Sequence, residues 1–118
     1  MTAKLALIAA LLVTVAGTAT AAPGPVASAA KACNPPEYPG SGYYTSLTVK
    51  HTGCAVGKSV AEAYTKCRRE DGLKGKCHHK VKGYRCTEKR VSITTEFDGS
   101  VTCKRGAKVV KHSYQQNT

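Results

Sequence analysis

Residues 55–71 read AVGKSVAEAYTKCRRED, and the periodicity of this stretch decides how the rest of the chain is read. Val56, Val60, Ala63, Tyr64 and Cys67 recur at helical spacing and form one apolar stripe. Lys58, Glu62, Lys66 and Arg69 fall on the opposite side, with Glu62 and Lys66 in the favourable i, i+4 order. The spacing predicts one amphipathic helix from Ala55 to about Asp71, ended by Gly72, which can take the left-handed C′ conformation. This helix restricts the cysteines. Cys54 and Cys67 are thirteen residues apart, about 20 Å along a continuous helix, whereas bridged α-carbons lie within ~7 Å, so the two belong to different disulfides.

Immediately upstream, Tyr43–Lys50 alternates: Thr45, Leu47 and Val49 point one way and Ser46, Thr48 and Lys50 the other, as in a half-buried strand. Residues 22–42 are rich in Ala, Pro, Gly and Ser. Their Asn34-Pro35-Pro36 and Tyr38-Pro39-Gly40 steps favour extended or turn conformations, so an irregular arm tied down at Cys33 is expected. Further back, Lys4, the apolar run from Leu5 to Ala16 and Ala19-Thr20-Ala21 have the order of a cleaved secretory signal over residues 1–21. The apolar run is shorter than the ~20 residues that span a bilayer, and no transmembrane segment is expected after cleavage. A secreted location follows. All six cysteines (Cys33, Cys54, Cys67, Cys77, Cys86 and Cys103) lie beyond the signal, and an even count in an oxidising compartment predicts three disulfides, with the remaining pairing open.

Downstream, residues 72–83 form a loop carrying Lys74, Lys76, Lys80 and Lys82 around Cys77-His78-His79, with no acid between Gly72 and Thr87. Strands are expected near 84–87, 91–97, 101–104 and 108–114. Asp98-Gly99 is a hairpin signal. A three-residue loop through Ser100 aligns Phe97 with Val101 and Thr95 with Cys103, and is preferred because a two-residue turn splits the apolar residues between faces. The expected fold is α+β: one amphipathic helix packed on one face of a four- to five-stranded, mainly antiparallel sheet, stabilised by disulfides, in a single domain over 43–115 with a tail at 116–118. The helix stripe is expected to cover Leu47, Val49, Tyr84, Cys86, Val91, Ile93, Phe97, Val101, Cys103, Val110 and Tyr114. Lys50, Arg85, Ser92, Thr94, Thr102, Lys104 and Lys111 are expected on the other face, which an antiparallel sheet can leave in water.

A cysteine opening a helix, Ala63, Tyr64, Cys67 and Arg68 in its last turns, Gly83-Tyr84-x-Cys86 and Val101-x-Cys103-x-x-Gly106 together resemble small exported cysteine-rich proteins of unknown function from high-GC Gram-positive bacteria. The resemblance covers most of the chain from Cys33 onward. It implies export and a fold, and no activity.

The chain carries 18 Lys and Arg against 7 acids, a formal +11, which becomes +10 once Lys4 leaves with the signal. Such a balance favours encounter with polyanions. Lys74, Lys76, Lys80, Lys82, Arg85, Lys104, Arg105, Lys108 and Lys111 are the candidate anion-binding residues, against the plainer reading that the charge only keeps a small domain soluble. Aromatic residues that could stack on bases are few: Tyr38, Tyr43 and Tyr44 are the ones expected to be exposed. Partners are therefore an anionic cell-wall polymer or another protein, with nucleic acid unsupported. Cys67, Cys77, His78, His79 and Cys86 supply zinc-ligand types but no close C-x₂₋₄-C pair, so neither metal nor cofactor is expected. His51, Glu62 and His112 supply the residue types of a small secreted RNase, the alternative class. The preferred reading is a non-catalytic binding module.

Overall fold

Strand parity, more than turn chemistry, sets this sheet. In a computed structural model, which describes residues 16–18 and 29–118, the elements are β1 (Lys31–Ala32), β2 (Gly42–Lys50), α1 (Cys54–Arg69), β3 (Arg85–Ile93), β4 (Glu96–Arg105) and β5 (Lys108–Asn117). The five strands are antiparallel in the order β1-β2-β5-β4-β3, and α1 covers one face. The fold is thus the expected disulfide-stabilised α+β arrangement. The secretory-signal reading of residues 1–21 and the first part of the arm, 22–28, lie outside the described residues, apart from 16–18.

Residues 85–93 form one uninterrupted strand. The β3–β4 hairpin turns at Thr94-Thr95, with Ile93 opposite Glu96 and Ser92 opposite Phe97. Asp98-Gly99 is not a turn; it lies within β4, and the expected alignment of Phe97 with Val101 and of Thr95 with Cys103 does not occur. Gly99 serves a different purpose: a Cβ there would come within 2.4 Å of the Tyr114 ring on the neighbouring strand. Because Cys86 faces inward and parity is kept along β3, Val91 and Ile93 fall on the outer face, 73% and 62% exposed, and leave the expected core. At the far end β5 continues through Asn117, so residues expected as tail pair with β4, and Gln116 is buried.

Helix α1 buries Gly57, Val60, Ala61, Tyr64, Thr65, Cys67 and Arg68. Val56, assigned to the stripe, is instead exposed, because the neighbouring Gly57 makes the close approach: a Cβ on it would lie 2.5 Å from Val49 Cγ1. Burying large apolar groups such as Leu47, Val60, Phe97, Val101 and Val110 contributes about 1.5–3 kcal/mol each. Cys33–Cys54 ties the arm to the start of α1, Cys67–Cys77 ties its end to the following loop, and Cys86–Cys103 joins directly opposed positions of β3 and β4. Each such link is worth about 2–4 kcal/mol. Cys54 and Cys67 are in different bridges, as the helix requires.

Candidate anion-binding face

The uncovered face of the sheet is ordered in rows running across the strands. Lys50 of β2, Val109 of β5, Lys104 of β4 and Arg85 of β3 are successive partners and form the first row. Thr48, Lys111, Thr102 and Thr87 form the second. Ser46, Ser113, Ser100 and Lys89 form the third, and Tyr43, Gln115, Asp98 and Val91 the fourth. Side chains alternate along each strand, except that β2 shifts register at Thr45, which is exposed rather than inward as expected, so that Tyr43 and Ser46 share this face. The four strands combine into a chemical gradient: cations at one end, hydroxyls in the middle, acids and apolar groups at the other.

The first two rows line a shallow depression of about 850 Å³ together with Val49, Ala29 and Ala30. Among the described residues its lining holds Lys50, Arg85, Lys104 and Lys111, and no acid and no aromatic residue. Asp98 sits six positions along β4 from Lys104, about 20 Å away at ~3.4 Å per residue. Of the acids on this face, Glu96 accepts a hydrogen bond from Gln115, whose Oε1 accepts in turn from Tyr43.

The sequence-predicted cations do not form one patch. All nine are exposed, but only Arg85, Lys104 and Lys111 share the sheet depression. Lys82, Arg105 and Lys108 lie with Val56, Ser59 and Tyr84 near the start of α1. Lys80 and Lys82 border a further depression with Lys66 and His79. Lys74 and Lys76 belong to the loop that Arg90 fastens to the sheet through the carbonyls of Lys74 and Gly75. Lys50, absent from the sequence-based set, joins the sheet group. Its signal was available in the alternation of β2, which places it outward with Thr48.

The other candidate chemistries are dispersed or consumed. His51 is exposed between β2 and α1 with φ 57°, Glu62 is exposed on α1, and His112 is 2% exposed beneath the sheet. The depressions that Glu62 lines contain neither of those histidines. Sulfur atoms of Cys67 and Cys77 lie with a His79 nitrogen in a cluster whose ligand atoms are all within 4.8 Å. The two sulfurs are bonded to each other, however, and present no thiolates. His79 Nε2 instead faces Glu70 at 3.3 Å, and its bonds to the Lys80 carbonyl and to Glu70 hold the imidazole above the usual histidine range.

Beneath the sheet Glu88, Arg68 and Gln116 organise a polar network, and His112 lies outside it. Glu88 accepts hydrogen bonds from Tyr114 (2.6 Å), Tyr64 (3.0 Å) and Arg90. Arg68, fully buried, donates to the Leu73 carbonyl (2.9 Å), to Tyr38 and to Gln116 Oε1 (3.1 Å), and lies 4.4 Å from the Tyr114 ring centroid. Arg69, expected on the solvent side, is half-buried and donates to Gln116 Oε1 (2.8 Å). Tyr38 and Tyr44, expected to be exposed, are both buried here: Tyr38 donates to Gln116 Oε1, and Tyr44 Oη lies 2.7 Å from Thr65 Oγ1. Burial, then Glu88, pushes the Tyr64 hydroxyl well above the ordinary phenol range. His112 has no hydrogen-bond partner on either nitrogen and sits among the rings of Tyr44, Tyr64 and Tyr114. Burial, reinforced by the Arg68 charge, lowers its pKa to about 4.

No protein-family model matches the chain, and comparison with curated proteins and with solved structures found no match.

Proposed function

We propose that the chain is an exported, non-catalytic binding module whose open sheet face holds an anionic polymer. The observation that carries this reading is the placement of one cation on each of four adjacent strands in a single acid-free depression. Cations that neutralise a polymer release its counterions, so binding of this kind is strong at low salt and falls steeply as salt rises. Export is supported by the order of charged, apolar and small residues in 1–21, by the three disulfides, and by the resemblance to exported cysteine-rich proteins. Among the described residues no helix is long and apolar enough to cross a membrane.

Two quadruple variants test the assignment at equal net charge. One changes Lys50, Arg85, Lys104 and Lys111 to Gln, the other Lys74, Lys76, Lys80 and Lys82. On a heparin matrix the sheet variant is expected to elute at much lower salt, with a log-affinity slope against log salt reduced by several units, about one for each cation that no longer pairs with the polymer. The loop variant is expected to stay near wild type. Equal weakening in both would show diffuse attraction to net charge and would defeat the proposal.

A further inference from the structure

The order of chemistry on the sheet face narrows the kind of polymer. The four cations advance by one strand at a time, Lys50, Lys111, Lys104, Arg85, and so cover about 14 Å at ~4.8 Å per strand. Thr48, Thr102 and Thr87 run parallel to them in the same depression. A ligand lying across the strands therefore meets a cation and a hydroxyl side by side on β2, β4 and β3, and Lys111 flanked by Val109 on β5. Threonine hydroxyls donate and accept, which suits partners that are themselves hydroxyls.

What is missing from the lining is equally selective. A single-stranded nucleic acid gains much of its affinity from bases stacked on aromatic rings, and the depression has none. Tyr43, the exposed aromatic of this face, is in the fourth row at the opposite end, with its hydroxyl committed to Gln115. Nor is there a ring platform for a sugar. The lining offers short threonines, Val109 on the first row and one cation per strand, three on the first row and Lys111 on the second, which suits a thin chain whose charges lie in its backbone rather than on pendant groups.

We infer that the ligand class is a polyol-phosphate chain, in which backbone phosphodiesters alternate with acyclic hydroxyl-bearing carbons, lying across β2, β5, β4 and β3. This rests on the assignment of the sheet face as the polyanion site. The phosphodiesters engage Lys50, Lys111, Lys104 and Arg85, and the free hydroxyls of the chain engage Thr48, Thr102 and Thr87.

The test uses the folded, oxidised protein and three defined probes matched in charge number: a glycerol-phosphate oligomer, a heparin-derived oligosaccharide and an oligouridylate. Affinities are measured by titration calorimetry at one ionic strength. The glycerol-phosphate oligomer is expected to bind roughly tenfold more tightly than the others, the yield of a few net hydrogen bonds. Acetylating its free hydroxyls is expected to remove that advantage while leaving the salt slope unchanged. Changing Thr48, Thr87 and Thr102 to Val, which keeps β-branching and strand propensity, is expected to do the same for the unmodified oligomer and to leave oligouridylate binding untouched. If the three probes bind alike and all depend on the sheet cations, the polyanion site stands and the polyol-phosphate inference falls. Preference for oligouridylate or the heparin fragment, or indifference to acetylation, also overturns the inference. If no probe responds to the change of the four sheet cations to Gln, the underlying assignment of the site itself fails.

Discussion

The two faces of this sheet are built from alternate residues of the same strands and treat charge in opposite ways. Glu88 and Arg90 point inward and are paired with each other, with tyrosine hydroxyls and with loop carbonyls, whereas Lys89 between them points outward into solvent. His112 is enclosed by three tyrosines, and Lys111 beside it lines the open depression. Charges below the sheet are thus committed to the fold, and those above it are free to meet a ligand. This division is the physical reason for assigning stability to one face and binding to the other.

The largest effect that can break this comparison comes from residues 88 and 89. Glu88→Ala removes the acceptor of two tyrosine hydroxyls and of the Arg90 Nε–H, and the countercharge of Arg90, in a site where the Glu88 side chain is 7% exposed. It is expected to cost about 3–5 kcal/mol of unfolding free energy, as breaking a buried ion pair does. Lys89→Ala, one residue away on the open face, is expected to stay within about 0.5 kcal/mol. Denaturant unfolding of the two variants measures both, and similar destabilisation would mean that the faces are not divided as described.

His112 gives the next effect. Its folded pKa is lowered to about 4 from an ordinary 6.5, so the unfolded chain takes up the proton first as pH falls. The stability owed to a neutral His112 is complete above pH 6.5, declines by about 3 kcal/mol between there and pH 4, and levels off below. Subtracting the pH profile of a His112→Phe variant from that of the wild type isolates this contribution. A difference curve that is flat across the window would show that the imidazole is charged or hydrated in the folded protein.

How much of this was legible in the sequence can be judged residue by residue. The helix, its central Val60, Tyr64 and Cys67, and the separation of Cys54 from Cys67 all follow from local periodicity, and the structure has them. The inward placement of His112 beside Val110 and Tyr114 follows from strand alternation. Asp98-Gly99 misled because Gly has two uses: freedom in a turn, and the absence of a side chain where another residue must lie close. Here Tyr114 lies against Gly99, a meeting of two strands that no local pattern encodes. The error then spread by parity to Val91 and Ile93. Burial of Arg68 was likewise invisible, because two of its partners, Tyr38 and Gln116, come from distant parts of the chain, and only Leu73 is close in sequence. For the candidate site, residue types and exposure were readable, but which cations share a surface depends on strand order. Two-residue alternation identifies Lys50 as outward-facing; only the β2-β5-β4-β3 order brings it into one depression with Arg85.

The claim that a dedicated face, rather than overall charge, engages an anionic polymer is tested most directly by mapping backbone amide shifts in ¹⁵N-labelled protein during titration with a glycerol-phosphate oligomer at moderate salt. The shifts are expected to concentrate at Thr48, Lys50, Arg85, Thr87, Thr102, Lys104 and Lys111, to fade along β4 and β5 toward Asp98 and Gln115, and to leave residues 74–82 unchanged. Comparable shifts across the 74–82 loop and the helix surface would contradict the account and leave only diffuse attraction.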